Sequence, residues 1–250
     1  MRNTWLAILL MLLTSTVFAQ KKVTSVQQIW GGYFNQLRLT DKVGLWGDFH
    51  LRTKEDFTND LSQSIVRLGF TYYLKDFTKL TVGYAWVNHF PADNHADISQ
   101  TEHRPWQQVQ WHNNFPRLKV MQWVRLEERF RRKIKDNDEL APGYNFNYRT
   151  RYNLFLMTPL GKKAFAPKSL SFVVNDEVHV NFGKQVVYNT FDQNRFFLGL
   201  AYHTNKHDNL QFGYMNVFQQ LAAGNAYRSN HVFRVFYFQN LDLRKKTVKP

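Results

Sequence analysis

The chain has 250 residues, with 33 Lys+Arg against 19 Asp+Glu for a formal net charge of +14, no cysteine, and a mean hydropathy of −0.48 despite 22 Phe, 12 Tyr and 7 Trp. Without cysteine, neither a disulfide framework nor a thiolate metal site can form. The length allows one large domain or two small ones, and so many aromatics in a polar chain call for a fold that holds them without long apolar runs.

The chain opens MRNTWLAILLMLLTSTVFAQ: one charge at Arg2, an apolar run from Trp5 to Leu13, then small and hydroxyl residues ending Val17-Phe18-Ala19. This is the layout of an export signal cut after Ala19. The apolar run falls well short of the roughly 20 residues that span a bilayer as a helix. Residues 1–19 therefore read as signal peptide, 20–26 as an N-terminal segment, 27–243 as the folded body and 244–250 as a basic tail. An exported protein does not meet the cell's nucleic acid, so the positive charge needs another explanation.

From residue 27 a single unit recurs: ten to fifteen residues of alternating character, then a turn. The strands predicted in chain order are 27–39, 42–52, 62–74, 79–90, 104–115, 118–130, 145–157, 170–182, 194–204, 209–221 and 231–241. Their period is two, not 3.6, and no helix of useful length appears. Short connections at 40–41, 75–77, 116–117 and 205–208 alternate with long ones at 53–61, 91–103, 131–144, 183–193 and 222–230, and one of intermediate length covers 158–169. Strands of about 9–11 residues with alternating short and long connections are those of an antiparallel up-and-down transmembrane β-barrel, here of 10–12 strands, with no transmembrane helix once the signal is removed. A soluble exported sandwich, the competing all-β class, builds on shorter strands with Greek-key connections.

The alternation also sorts the faces. Val66, Leu68, Phe70 and Tyr72 share one side of their strand, as do Leu80, Val82, Tyr84 and Trp86 of the next, and this apolar set is expected to face lipid. The opposite parity places in the lumen Asp48, His50 and Arg52; Arg67; Gln108, Gln110 and His112; Arg125, Glu127 and Arg129; Asn147, Arg149, Arg151 and Asn153; Asn175, Glu177 and His179; and Arg195 and Arg234. Glu128 and Asp176 fall on the lipid parity, which demands a bulge, a boundary position or a different register. Glu102 and Asp192 are counted with the acidic residues of the long loops, while lysines gather toward the short turns. Charge spread along a barrel axis in this way is not a nucleic-acid groove.

The Trp-containing first hairpin (Trp30 to Trp46), the repeated aromatic strands with inward Arg, and the Leu74-Lys75-Asp76 turn followed by a Val-Gly-Tyr strand resemble the domain-of-unknown-function 2490 family of bacterial outer-membrane proteins, over about residues 25–243. The resemblance implies an outer-membrane barrel in a Gram-negative bacterium and no particular activity. Two features depart from the usual pattern: eleven predicted strands where single-chain bacterial barrels have an even number, and a last strand followed by RKKTVKP.

No Gly-rich phosphate loop, HExxH or GxSxG is present, and no histidine has Ser two residues later, as outer-membrane phospholipases do. Asp93, His95, Asp97 and His103 form one candidate metal group in a loop; Asp136, Asp138 and Glu139 form another, but Leu140 breaks the calcium-loop pattern. The expectation is no enzyme, no cofactor and no specific metal, with lipid and lipopolysaccharide as surroundings and a lipid-modifying outer-membrane enzyme as the third alternative. The lumen arginines carry the functional signal. Either they attract small acidic solutes in a narrow anion-preferring channel, or they pair with Glu127, Glu177 and neighbours in a closed, salt-bridged plug whose barrel serves as a structural or loop-mediated recognition element.

Overall fold

The structure, a computed structural model, describes residues 21–92 and 95–244. The export signal, Asp93 and the tail beyond Arg244 lie outside the described residues. Eleven strands make one closed barrel: β1 (Lys22–Arg38), β2 (Val43–Glu55), β3 (Asn59–Lys75), β4 (Thr78–His89), β5 (Gln100–Phe115), β6 (Leu118–Ile134), β7 (Leu140–Pro159), β8 (Leu170–Phe182), β9 (Phe191–His203), β10 (Asn209–Gln220) and β11 (Ala226–Asp242). No helix among the described residues is long and apolar enough to cross a membrane.

Ten neighbouring pairs are antiparallel, as the alternation predicts. The ring closes differently, because β1 lies parallel to β11 from Lys22↔Ala226 to Arg38↔Asp242. An odd strand number forces this: up-and-down winding leaves the first and last of eleven strands pointing the same way. The eleven predicted strands are therefore all wall strands, and the expectation of an even number fails at this seam. β1 also starts at Lys22, inside the stretch set apart as an N-terminal segment.

Both kinds of connection differ from their predicted lengths. The loop predicted at 53–61 shrinks to 56–58 because β2 and β3 run on past the alternating region, and 131–144 shrinks to 135–139. Asp56 and Phe57 turn the first of these hairpins with φ of 46° and 61°. At the opposite end, Arg244 ties the seam to the β1–β2 turn through Asp41 at 2.9 Å and Asp242 at 2.6 Å, and Arg38 bonds Asp76 at 2.7 Å. That hydrogen bond from Arg38 holds the Asp76 carboxyl below its ordinary range.

Strand tilt can be followed through the pairing. A row begun at Trp30, in the middle of β1, passes Arg234, Gly213, Gly199, Val173, Met157 and Lys119 and reaches Asn114 beside the β5–β6 turn. Such a stagger belongs to strands inclined about 35–45° to the barrel axis. Side chains distant in sequence thereby meet at one height.

The outer face of β2–β4 is apolar and exposed: Leu45, Phe49, Val66, Leu68, Phe70, Tyr72, Val82, Tyr84 and Trp86 all project outward. Glu128 and Asp176 are not at bulges, since the register holds through Glu128↔Tyr148, Leu154↔Asp176 and Asp176↔Phe196 and is the same on either side of the unpaired Pro105 facing Glu128. Both face outward, and Asp176 accepts a hydrogen bond from Asn194 at 2.7 Å.

Inside, two apolar clusters occupy part of the lumen. One groups Trp30, Phe197, Met215, Val217, Val232 and Phe236; the other groups Ile65, Ala85, Val87 and Trp106. Trp106 packs against Gly83, where an added Cβ meets the indole at 2.6 Å and also collides with the Leu68 carbonyl. Gly83→Ala is therefore expected to destabilise the barrel by about 1–3 kcal/mol. Urea-dependent unfolding in detergent measures this, and an unchanged midpoint would count against the packing described.

Candidate functional site

The lumen holds a cavity of about 700 Å³ whose wall includes Asn35, Lys206 and Asn240 near the short turns and Gln28, Arg131 and Arg228 near the opposite rim. Between the rims lies a belt of charge. Of the residues assigned to the lumen from alternation, His50, Arg52, Arg67, Gln110, His112, Arg125, Arg129, Arg149, Arg151, Asn153, Asn175, Glu177, Arg195 and Arg234 line this cavity. Asp48, Gln108, Glu127 and His179 share the inward parity and are buried behind them, and Asn147 is half-buried beside Asn181.

The carboxylates of the belt are each surrounded by cations. Glu127, with no exposed surface, accepts hydrogen bonds from Arg149 at 2.5 and 2.8 Å and from Arg151 at 2.6 Å, with Arg104 at 3.7 Å and Arg125 at 3.9 Å. Arg149 also reaches Asp192 at 2.9 Å, and Arg151 bonds Glu177. Glu177 meets His179 at 3.1 Å and Arg195 at 3.7 Å. On the next side Glu102 takes Arg104 at 2.7 Å, Arg129 at 2.8 Å and His89 at 3.0 Å. Asp48 takes Arg67 at 2.8 Å, His50 at 3.0 Å and the Trp46 indole N–H at 2.6 Å.

Glu102 and Asp192 therefore belong to the lumen wall, not to the loops where their flanking sequence placed them. β5 begins at Gln100, so Glu102 stands on an inward position of a strand that extends past its alternating core, whereas Asp192 is the extra residue at a register shift between His179↔Gln193 and Val180↔Phe191, which turns it inward against the parity of Gln193 and Arg195. Arg104 was also missed as a lumen residue. Its parity matches Gln108 and Gln110, so the signal was present in the sequence.

A second group of arginines is held differently. Arg52 donates to Gln63 Oε1 at 2.8 Å, Arg125 to Gln108 Oε1 at 2.9 Å, Arg195 to Gln193 Oε1 at 3.3 Å and Arg234 to Gln211 Oε1 at 3.0 Å. An amide oxygen fixes the plane of a guanidinium without cancelling its charge. Aromatic faces support the same groups: Arg52 lies 3.7 Å over Trp30, Arg125 4.3 Å over Trp106 and Arg234 3.3 Å over Phe197. Arg52 Nε, Arg125 Nη1 and Arg234 Nε are buried and have no hydrogen-bond partner among the described residues.

In the belt, Arg52, Arg67, Arg104, Arg125, Arg129, Arg149, Arg151, Arg195 and Arg234 stand against Asp48, Glu102, Glu127, Glu177 and Asp192, nine guanidiniums to five carboxylates. Among the described residues no three His, Asp or Glu side chains are placed to hold a metal ion. Glu139 is engaged by Lys135 at 2.6 Å, and His103 turns outward to the Tyr84 hydroxyl. Beside it, Asp136 raises the Asp138 carboxyl above its ordinary range.

A closed sheet with an apolar outer surface and a charged, partly open interior defines a transmembrane β-barrel. Within that class the chain belongs to the family described as "Protein of unknown function (DUF2490)", whose model matches residues 27–228. No curated protein matches the chain. A solved structure of the NanC porin in a rhombohedral crystal form is similar at 13% identity, covering 80% of this chain and 93% of that one with a TM-score of 0.44.

Proposed function

We propose that the protein is an outer-membrane channel that passes small solutes and prefers anions. The observation that carries this reading is the set of four arginines held by glutamine oxygens in a cavity whose wall reaches both rims. Arg52 and Arg234 have no carboxylate partner among the described residues, while Arg125 and Arg195 stand 3.9 and 3.7 Å from carboxylates hydrogen-bonded by other arginines. Such an excess of positive charge in a narrow polar lumen lowers the energy of an entering anion and raises that of a cation. With eleven strands the interior is wider than the eight-stranded barrels that side chains just fill, and narrower than an open porin.

A plugged barrel with a structural or recognition role is the second reading, favoured by the burial of Glu127 among its arginines. Planar-bilayer recording of the purified protein separates the two. The expected result is a small conductance whose reversal potential in a salt gradient moves toward the anion value. Absence of current at every voltage and pH would end the channel reading.

Lipid hydrolysis is the least supported function. Ser171 Oγ does meet His203 Nε2 at 2.8 Å, but Ser171 is fully buried on the lumen side and His203 has no carboxylate partner among the described residues. A nucleophilic serine needs access to substrate and an oriented base.

A further inference from the structure

The seam between β1 and β11 gathers the least compensated part of the belt. Trp30 pairs with Arg52 on β2 and with Arg234 on β11, so the three inward side chains stand in one row across adjacent strands. The two arginine stems are thus two strand spacings apart, about 9–10 Å. Arg52 lies over the Trp30 ring, and Arg195 approaches the same ring at 5.2 Å from β9.

Each of the three guanidiniums is oriented by a glutamine, Gln63, Gln193 or Gln211. The nearest carboxylate is Glu177, 3.7 Å from Arg195 and already hydrogen-bonded by Arg151. Arg52 and Arg234 have no carboxylate partner among the described residues, and the Nε of each is buried without an acceptor. Two guanidiniums on the cavity wall, each held in place by a glutamine and each with an unbalanced charge, form a preorganised receptor for two carboxylate groups.

We propose that Arg52, Arg234 and Arg195, arranged around Trp30, form a seat for a small organic dicarboxylate inside the lumen. A dianion balances both Arg52 and Arg234, whereas a monoanion leaves one of them uncompensated. The seat deepens the anion-channel reading by naming a solute class, and it rests on that reading only for the solute's route to the lumen.

Isothermal titration of the purified, detergent-solubilised protein with succinate, acetate and chloride tests the seat independently of conduction. Succinate is expected to bind at least about tenfold more tightly than acetate, since a hydrogen bond to a charged group is worth about 1.5–3 kcal/mol and 1.4 kcal/mol is tenfold. The double variant R52Q/R234Q is expected to lose about tenfold to a hundredfold in succinate affinity, and to lose less in acetate affinity because acetate engages one of the two arginines at a time. Equal affinities for succinate and acetate, or a double variant that binds succinate like the parent, overturns the proposal. Should R52Q/R234Q fail to fold, R52K/R234K keeps the charge and removes the fork. It is expected to weaken succinate severalfold, and unchanged affinity there also overturns the seat. Succinate binding in a protein that passes no current would defeat the channel and leave the seat standing.

Discussion

Glu127→Gln is expected to cost the barrel about 3–5 kcal/mol, the largest loss from any single substitution in the lumen belt. The exchange preserves shape and one acceptor oxygen, so the loss reports charge. Glu127 is fully buried and is the shared partner of Arg149 and Arg151, with Arg104 and Arg125 close behind. A buried ion pair adds little over a well-packed apolar pair, because bringing both charges out of water consumes most of their attraction. Removing one member is different: the attraction goes and the desolvated arginines remain. Urea-dependent unfolding of the variant in detergent, compared with the parent, measures the difference. A loss below about 1 kcal/mol would show that water enters the belt freely and screens it.

How far the alternation of residues reveals this site depends on where along each strand it is read. In the middle of β2 to β8 one face meets lipid and must be apolar, so a period of two assigns Arg67, Arg125, Arg149 and Glu177 to the lumen from sequence alone. Toward the strand ends the outer face leaves the hydrocarbon and that requirement lapses. The strands continue as hydrogen-bonded wall, but Lys22 to Ser25, Gln100 to His103 and Phe191 to Gln193 carry no clean alternation. Glu102 is hidden from the alternation for this reason, and Asp192 because a register shift beside His179 turns it inward against its parity. The parallel seam leaves no local trace either, since β1 and β11 lie at opposite ends of the chain and their pairing is fixed by ring closure. Which arginine meets a glutamate and which a glutamine follows from strand tilt and register. Arg151 reaches Glu127 and Glu177 on its two flanking strands, while Arg125, beside it on β6, is held by Gln108 on the other side. Alternation fixes a side chain's face and is silent about its height.

The two classes of arginine should respond in opposite ways to the same chemical change. R149Q/R151Q strips Glu127, Glu177 and Asp192 of their hydrogen-bonded cations. Unfolding is then expected several kcal/mol sooner, with whatever selectivity remains little altered, because a buried carboxylate without a partner is costly. The quadruple variant R52Q/R125Q/R195Q/R234Q removes guanidiniums whose hydrogen-bond acceptors are glutamine oxygens and leaves every arginine hydrogen-bonded to a belt carboxylate in place. Its stability is expected to stay within about 1 kcal/mol of the parent or to rise, since like charges have been taken out of a confined space. The variant leaves five guanidiniums, Arg67, Arg104, Arg129, Arg149 and Arg151, facing five carboxylates. A belt so balanced no longer favours anions, and only the cations nearer the rims, Lys119, Arg131, Lys206 and Arg228, still do. Reversal potentials measured in a salt gradient should therefore fall toward zero in the quadruple variant and hold in any R149Q/R151Q protein that assembles. The opposite pattern would mean that the carboxylate-paired arginines, Arg149 and Arg151, are the ones that meet the permeating ion.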